Sequence, residues 1–349
     1  MTSWLSELFS RKARGAAGSA PGDAAPLRAP ASPAGPAALA PSAEQILRRL
    51  EWSVIRRLDG LLQGDYRTLM RGAGLDLADL REYQHHDDVR HIDWNVTARL
   101  QQPHVRVFTE DREMAAWFLL DLSPSMDFGS GAQRKRQLST EFVAVLARLL
   151  TRHGNRVGAL LYGTGVDAVI PARGGRGHVL QLLHTLHTRP STAAVDGAGT
   201  RLHELLASAA GVVRRRSTVF VVSDFISAPG WEKPLAQLAM RHEVLAVRLV
   251  DPLEQALPDL GLIPIRDLET GEQLLVDTSN PGFRARFADL ATRREADLRA
   301  ALARASVDTL ELTTGGDLVD TVMRFAELRR QRTRLSAGGG LPRHLRQAA

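Results

Sequence analysis

The chain is 349 residues long, has no cysteine, and is 44% hydrophobic, 5% aromatic and 24% charged, with a formal net charge of +6. That length is enough for one large domain or two ordinary ones with a sizeable core. The missing cysteine excludes a disulfide scaffold, a thiolate nucleophile and Cys-ligated zinc or iron–sulfur sites, and fits a reducing compartment. A basic balance raises nucleic acid or acidic membrane as partners, but the charge is unevenly placed. Residues 1–42 carry four basic and two acidic side chains, residues 329–349 six basic and none acidic, and the remainder 35 basic against 37 acidic. The core is slightly acidic; the excess belongs to the ends and to an arginine habit, since only Lys12, Lys135 and Lys233 are lysines.

Residues 1–10 place Trp4, Leu5, Leu8 and Phe9 at helical spacing, which reads either as a small docking or membrane-surface helix or as a frayed terminus. Glu7, Arg11, Lys12 and Arg14 leave no apolar core for a signal peptide, and no run of about 18 apolar residues offers a membrane span. Residues 15–42 hold 11 alanines and six of the 17 prolines. Such a segment neither propagates a helix nor buries a face, so residues 1–42 are expected to be a disordered tail.

Residues 44–62 predict a helix, the stretch 81–99 is polar and irregular, and residues 105–108 alternate like a strand. Residues 43–110 are therefore expected to form a small α+β subdomain on a sheet edge. From 111 to 330 the pattern alternates: strand 116–120, helix 133–153, strand 156–162, a returning strand 166–170, helices 179–186 and 202–214, strand 218–222, helix 231–240 and strand 244–250. A hairpin over 263–266 and 273–276, turning at Glu269, Thr270 and Gly271, precedes helix 283–305, strand 307–312 and helix 318–330. Strands alternating with helices of ten or more residues predict an α/β domain, its mostly parallel, doubly wound sheet flanked by helices. Arg329, Arg330, Arg332, Arg334, Arg343 and Arg346 follow with no acid after Glu327, and residues 331–349 read as a basic tail.

The most informative local sequence is Asp121-Leu-Ser123-Pro-Ser125, directly after an apolar strand and before a long helix. In an open parallel sheet the loops at the carboxyl ends of the strands form the ligand crevice. A carboxylate and two hydroxyls there are hard oxygen donors suited to Mg²⁺ or Mn²⁺. Gly199-Thr200-Arg201-Leu202 adds a hydroxyl at a helix start, with Thr192 and Asp196 in the same loop as alternatives. Ser223-Asp224 adds a carboxylate at a strand end. Each serine, threonine or aspartate taken singly also suits a turn or an N-cap.

The set Asp121, Ser123, Ser125, Thr200 and Asp224 resembles the metal-ion-dependent adhesion site of von Willebrand factor A domains. The resemblance implies a divalent cation (Mg²⁺, or Mn²⁺ or Ca²⁺), left under-neutralised by its protein ligands and open to a carboxylate from a partner. Residues 81–99, REYQHHDDVRHIDWNVTAR, and the following Val105 to Glu110 stretch resemble the signature of domain-of-unknown-function family 58. These are bacterial von Willebrand A-like proteins associated with MoxR-type AAA+ ATPases. Asp251-Pro252-Leu253-Glu254, Leu257-Pro258, Gly261 and the turn from Asp267 to Gly271 match that family's pattern too. A departure is His86, preceded by His85, where the family has a small residue or glycine.

Within 81–99, Arg81, Arg90 and Arg99 lie among Asp87, Asp88 and Asp93, with Tyr83 and Trp94 between them. One reading is an ion-pair lattice that fixes the subdomain to the sheet; the other is a partner-docking surface. His85, His86 and His91 lack the spacing of a zinc site. The leading expectation is a non-enzymatic, cytoplasmic adaptor linking a MoxR-type ATPase to an unknown client through the cation. Any ATP hydrolysis belongs to the partner, because no P-loop is present and Gly174-Gly175-Arg176-Gly177 lacks the lysine. A metal-dependent hydrolase using Asp121 and Asp224 is the alternative, but it lacks an evident general base in these loops, and Ser123 stands where a second acid is wanted. An arginine-rich nucleic-acid or anionic-membrane binder is the third class, and it lacks stacking aromatics and any recognised nucleic-acid motif.

Overall fold

The structure, a computed structural model, describes residues 42–50, 77–84, 87, 89, 92–108, 115–190, 199–268 and 273–336. Expectations for 1–41, for 51–62 of the first helix, for His85, His86, Asp88, Arg90 and His91, for Glu110, for Thr192 and Asp196, for the 269–271 turn and for the last 13 residues lie outside these.

Ala115–Asp121 forms β3, with every residue after Ala115 buried. An apolar run of this kind satisfies a strand covered on both faces. Lys135–Arg152 (α3) crosses to Arg156–Tyr162 (β4), which turns into Val166–Arg173 (β5) and Arg176–Thr188 (α4). Leu202–Val212 (α5), Thr218–Ser223 (β6), Glu232–Arg241 (α6) and Glu243–Val250 (β7) continue the alternation. A one-turn helix Pro252–Gln255 (α7) leads to the antiparallel hairpin Leu262–Arg266 (β8) and Gln273–Asp277 (β9). Pro281–Arg304 (α8), Asp308–Thr313 (β10) and Leu318–Ser336 (α9) close the chain.

The main sheet runs β10-β7-β6-β3-β4-β5, parallel throughout except for the antiparallel edge strand β5. The chain leaves β3 toward β4 on one side and returns as β6 on the other. The order therefore switches at β3, and a crevice opens between the carboxyl ends of β3 and β6.

Alternation along the strands divides the core into two layers. Ala116, Phe118 and Leu120 join the layer under α3, α4 and α9; Trp117 and Leu119 join the layer under α5, α6 and α8. Phe118 stacks on Phe220 across β3 and β6 with ring centroids 5.2 Å apart, and Phe142 of α3 meets Phe220 edge-on at 6.3 Å. This fixes α3, whose first residue reaches the crevice.

The front of the chain departs from expectation in two ways. Ala43–Leu50 (α1) buries Ile46, Leu47 and Leu50 in the core layer of α3 and α4. The stretch read as irregular overlaps the end of a strand, Leu77–Glu82 (β1), and runs through a short helix, Trp94–Leu100 (α2); β1 pairs antiparallel with His104–Phe108 (β2). Helix α9 also runs on to Ser336, beyond the 330 boundary set for the basic tail.

Candidate functional site

Asp121 ends β3 fully buried. Its Oδ1 accepts a hydrogen bond from the Ser123 N–H at 3.0 Å, and its Oδ2 accepts one from Ser223 Oγ at 2.6 Å. Ser123 precedes a 3₁₀ turn, Pro124–Asp127, with extended backbone and no side-chain capping bond. The N-cap explanation of its hydroxyl therefore does not hold. Ser123 Oγ instead lies 3.1 Å from Ser125 Oγ, with both residues buried.

Thr200, also buried, precedes α5, and its carbonyl accepts from the Ala228 N–H at 2.8 Å and Ser227 Oγ at 2.9 Å. Thr200 is not the N-cap: Arg201 holds that position without a side-chain capping bond, and Ser227 Oγ accepts from the Leu202 N–H at 2.9 Å. The Arg201 N–H donates to Tyr162 Oη at 3.0 Å. The Thr200 loop is thus fastened to the ends of β4 and β6.

Asp224 follows β6 and is 3% exposed. Its Oδ1 accepts from the Ile226 N–H at 2.9 Å, across a turn in which Phe225 takes the left-handed conformation at φ 59°. Its Oδ2 accepts from Lys135 Nζ at 2.6 Å.

Asp121, Ser123, Ser125 and Asp224 accordingly sit at the carboxyl ends of β3 and β6 that flank the switch-point crevice, and Thr200 lies in the connection between α4 and α5. Burial, then the charge of Asp224, pushes the Asp121 carboxyl up from 3.8 to about 6, against hydrogen bonds from Ser223 and Ser123 that favour its charged form. Among the described residues no basic side chain offsets this shift.

Three further residues complete the cluster and were not singled out from sequence. Ser223 bridges β3 and β6, donating to Asp121 and accepting from the Phe225 N–H at 2.9 Å. Lys135, the first residue of α3, is fully buried and also donates to Glu254 Oε1 at 2.6 Å. Glu254 is held by a reciprocal capping arrangement. Its Oε2 accepts from the Asp251 N–H at 3.1 Å, while Asp251 accepts from Leu253 N–H, Ser130 N–H and Thr314 Oγ1. Burial opposes the charge of Lys135, but Asp224 and Glu254 outweigh it and hold its pKa above the ordinary lysine value. For Glu254, burial and Asp224 raise the pKa while Lys135 lowers it, and the balance is upward. The sequence signal for Lys135 was its rarity: one of three lysines in the chain, at the start of the helix after the Asp121 loop.

Among the described residues no group of three or more His, Asp or Glu side chains is arranged to hold a metal ion. The donor set on offer is sparser: two buried carboxylates and three buried hydroxyl-bearing residues. Such a set fits a weakly held hard dication, and the under-compensated Asp121 carboxyl is where positive charge is wanted. Beside Asp224 a cleft of about 520 Å³ runs between the ends of β6 and β7 and helix α8, lined among others by Phe225, Trp231, Arg248, Glu254 and Phe287.

In the 81–99 stretch, Asp93 is buried and caps α2, accepting from the Asn95 and Val96 N–H groups at 3.0 and 3.2 Å. Asp87 pins a turn through the Gln84 N–H at 2.8 Å. Tyr83 is half-buried, Arg99 is exposed, and Trp94 is 70% exposed. The backbone of Arg81 lies in β1, but its side chain, like Asp88 and Arg90, lies outside the described residues.

The family model described as "Protein of unknown function DUF58" matches residues 79–297. "Uncharacterized protein Rv1480" of Mycobacterium tuberculosis is 36% identical over 293 residues, covering 83% of this chain and 91% of that protein. "Uncharacterized protein MAV169" of Mycobacterium avium is 33% identical over 164 residues, 46% of this chain and 94% of that protein. Among solved structures, a conserved hypothetical protein BatB from Bacteroides thetaiotaomicron is similar with a TM-score of 0.40 and 13% identity, over 62% of this chain and 99% of that one. A von Willebrand factor type A structure from Catenulispora acidiphila is similar with a TM-score of 0.32 and 12% identity, over 63% and 42%. Among the described residues no helix is long and apolar enough to cross a membrane.

Proposed function

The chain belongs to the DUF58 family, and we propose that it acts there as a non-enzymatic protein-binding adaptor whose switch-point site uses a divalent cation to take a carboxylate from a partner. Asp121, Ser123, Ser125, Thr200 and Asp224 are the residues that would hold Mg²⁺, or Mn²⁺ or Ca²⁺. The ion would supply a positive charge beside Asp121, while Lys135 already pairs with Asp224. The observation that supports this reading is Asp121 itself: a buried carboxyl at the sheet's switch point, pushed up to about 6 by burial and the charge of Asp224, beside the Ser123 hydroxyl, which makes no capping bond, and the Ser125 hydroxyl 3.1 Å from it.

The chain's own residues do the positioning. Ser223 holds the Asp121 carboxylate in place from β6, and Ser227 holds the Thr200 loop from the other side of the crevice. The adjoining cleft offers both aromatic and charged side chains to whatever surrounds the partner's acid. The exposed indole of Trp94 supports a second contact through the 81–99 stretch. The partner we propose, on the family resemblance, is a MoxR-type AAA+ ATPase, with this chain carrying a client protein to it in the cytoplasm.

A hydrolytic reading is less well supported. The second carboxylate of the site, Asp224, is committed to Lys135 and to the Ile226 N–H rather than standing ready as a base. Purified protein with Mg²⁺ is expected to turn over neither generic phosphate esters nor carboxylic esters.

The adaptor reading is tested by co-purifying the chain with a MoxR-type AAA+ ATPase from the same organism, in Mg²⁺ and in EDTA. Capture is expected in Mg²⁺, with loss in EDTA and in Asp121→Ala. Capture that ignores both EDTA and the substitution overturns the reading.

A further inference from the structure

Lysine is among the residues least often fully buried, yet Lys135 has no exposed surface. It enters the cluster from α3 and contacts carboxylates 89 and 119 residues further along the chain, each at 2.6 Å. One of the two, Asp224, is a candidate ligand of the switch-point site. The other, Glu254, is presented by the Asp251 capping arrangement described above, so its approach to Lys135 is built into the β7–α7 corner.

The charges of the cluster can be counted. Asp121, Asp224 and Glu254 against Lys135 leave −2 with all four ionised. One dication cancels that. Without the lysine the same ion would sit in a site still carrying −1, and an incoming carboxylate would meet net repulsion instead of a neutral site.

We propose that Lys135 is a built-in second cation of this site, a positioning residue that fixes Asp224 and Glu254 and sets the net charge so that one bound dication leaves the site neutral and open to an external carboxylate. The proposal rests on the adaptor reading and adds to it what tunes the ion's affinity. It separates from a purely structural staple between α3, β6 and α7, which would change stability equally with and without the ion.

The test uses the full chain at about pH 8, above the Asp121 carboxyl's pKa of about 6. Mn²⁺ and Mg²⁺ binding is measured by titration calorimetry, and the thermal midpoint is read in EDTA and in Mg²⁺. Lys135→Met, with one more net negative charge, is expected to bind Mn²⁺ about tenfold tighter, to melt lower in EDTA, and to recover more in Mg²⁺ than the wild type does. Glu254→Gln, with one fewer, is expected to bind about tenfold more weakly and to show a smaller Mg²⁺ shift. The two variants move affinity in opposite directions, and Glu254→Gln decides the matter if Lys135→Met does not fold. Ion binding by the wild type with unchanged affinity in Glu254→Gln, or equal or weaker affinity in Lys135→Met, overturns the role of Lys135 alone. No ion binding by the wild type overturns the adaptor reading and this proposal with it.

Discussion

Asp121 has a fixed geometry but an unfavourable charge. Two hydrogen bonds favour its ionised form, yet burial and Asp224 leave its pKa at about 6. A carboxyl whose pKa is raised on folding holds its proton more tightly in the folded state. Its contribution therefore favours folding below about pH 4 and is lost as pH rises from about 4 to about 6. The shift corresponds to about 3 kcal/mol. Urea unfolding in EDTA should show stability falling by roughly that amount across this window. Asp121→Asn, which keeps an oxygen for the Ser123 N–H, should flatten the fall and be more stable than the wild type near neutral pH, while losing any response to Mg²⁺. A wild type with no such fall, or an asparagine variant that keeps its Mg²⁺ response, contradicts the account. A site that is more stable when disarmed is the usual signature of a residue kept for function.

Elements rather than single side chains set the walls of the crevice, and α5 shows how. Its N-cap residue, Arg201, makes no side-chain capping bond, so the first turn takes its acceptor from another loop: Ser227 Oγ receives the Leu202 N–H and donates to the Thr200 carbonyl. Ser227→Ala should cost about 1 kcal/mol in chemical denaturation, in the range of a lost cap. It should also speed amide exchange at Leu202 ahead of α6. Helix α2 is the opposite case. Its cap is its own Asp93, and Asp93→Ala should cost about 1 kcal/mol by the same measurement. The sequence offers Asp93 as an ion-pair or docking residue and the stretch around it as irregular; the structure makes it the cap of a seven-residue helix. Strand β1 was missed because LADLRE has no clean alternation, and its pairing with β2 decides its state.

At the scale of the molecule, helix α9 ties together the end of the sheet away from the site. Arg329 is 5% exposed and pairs with Glu243 at the start of β7 and, at 3.1 Å, with Asp308 at the start of β10. In the sequence it is the first of a run of arginines with no acid after Glu327; in the fold it is a buried tertiary cation. Arg329→Ala should cost about 3 kcal/mol, since it leaves two partly buried carboxylates without their partner. Deleting residues 337–349 should leave the unfolding midpoint unchanged. If the two variants behave alike, the end of helix α9 is misplaced.

The sequence by itself determined the alternation of strands and helices from β3 to α9, and with it the parallel sheet and the strand-end loops. These features are periodic and local, so the order of apolar residues carries them. It also determined that Asp121, Ser123, Ser125 and Asp224 occupy those strand ends, with Thr200 just before a helix. Only the tertiary structure decided which hydroxyls serve as caps, that Ser223 joins β3 to β6, and that Lys135 meets Asp224 and Glu254. Those contacts join residues about 90 to 120 positions apart. No local pattern marks which of 45 basic side chains will be buried, because the desolvation that gives a buried charge its meaning exists only once the layers have closed over it.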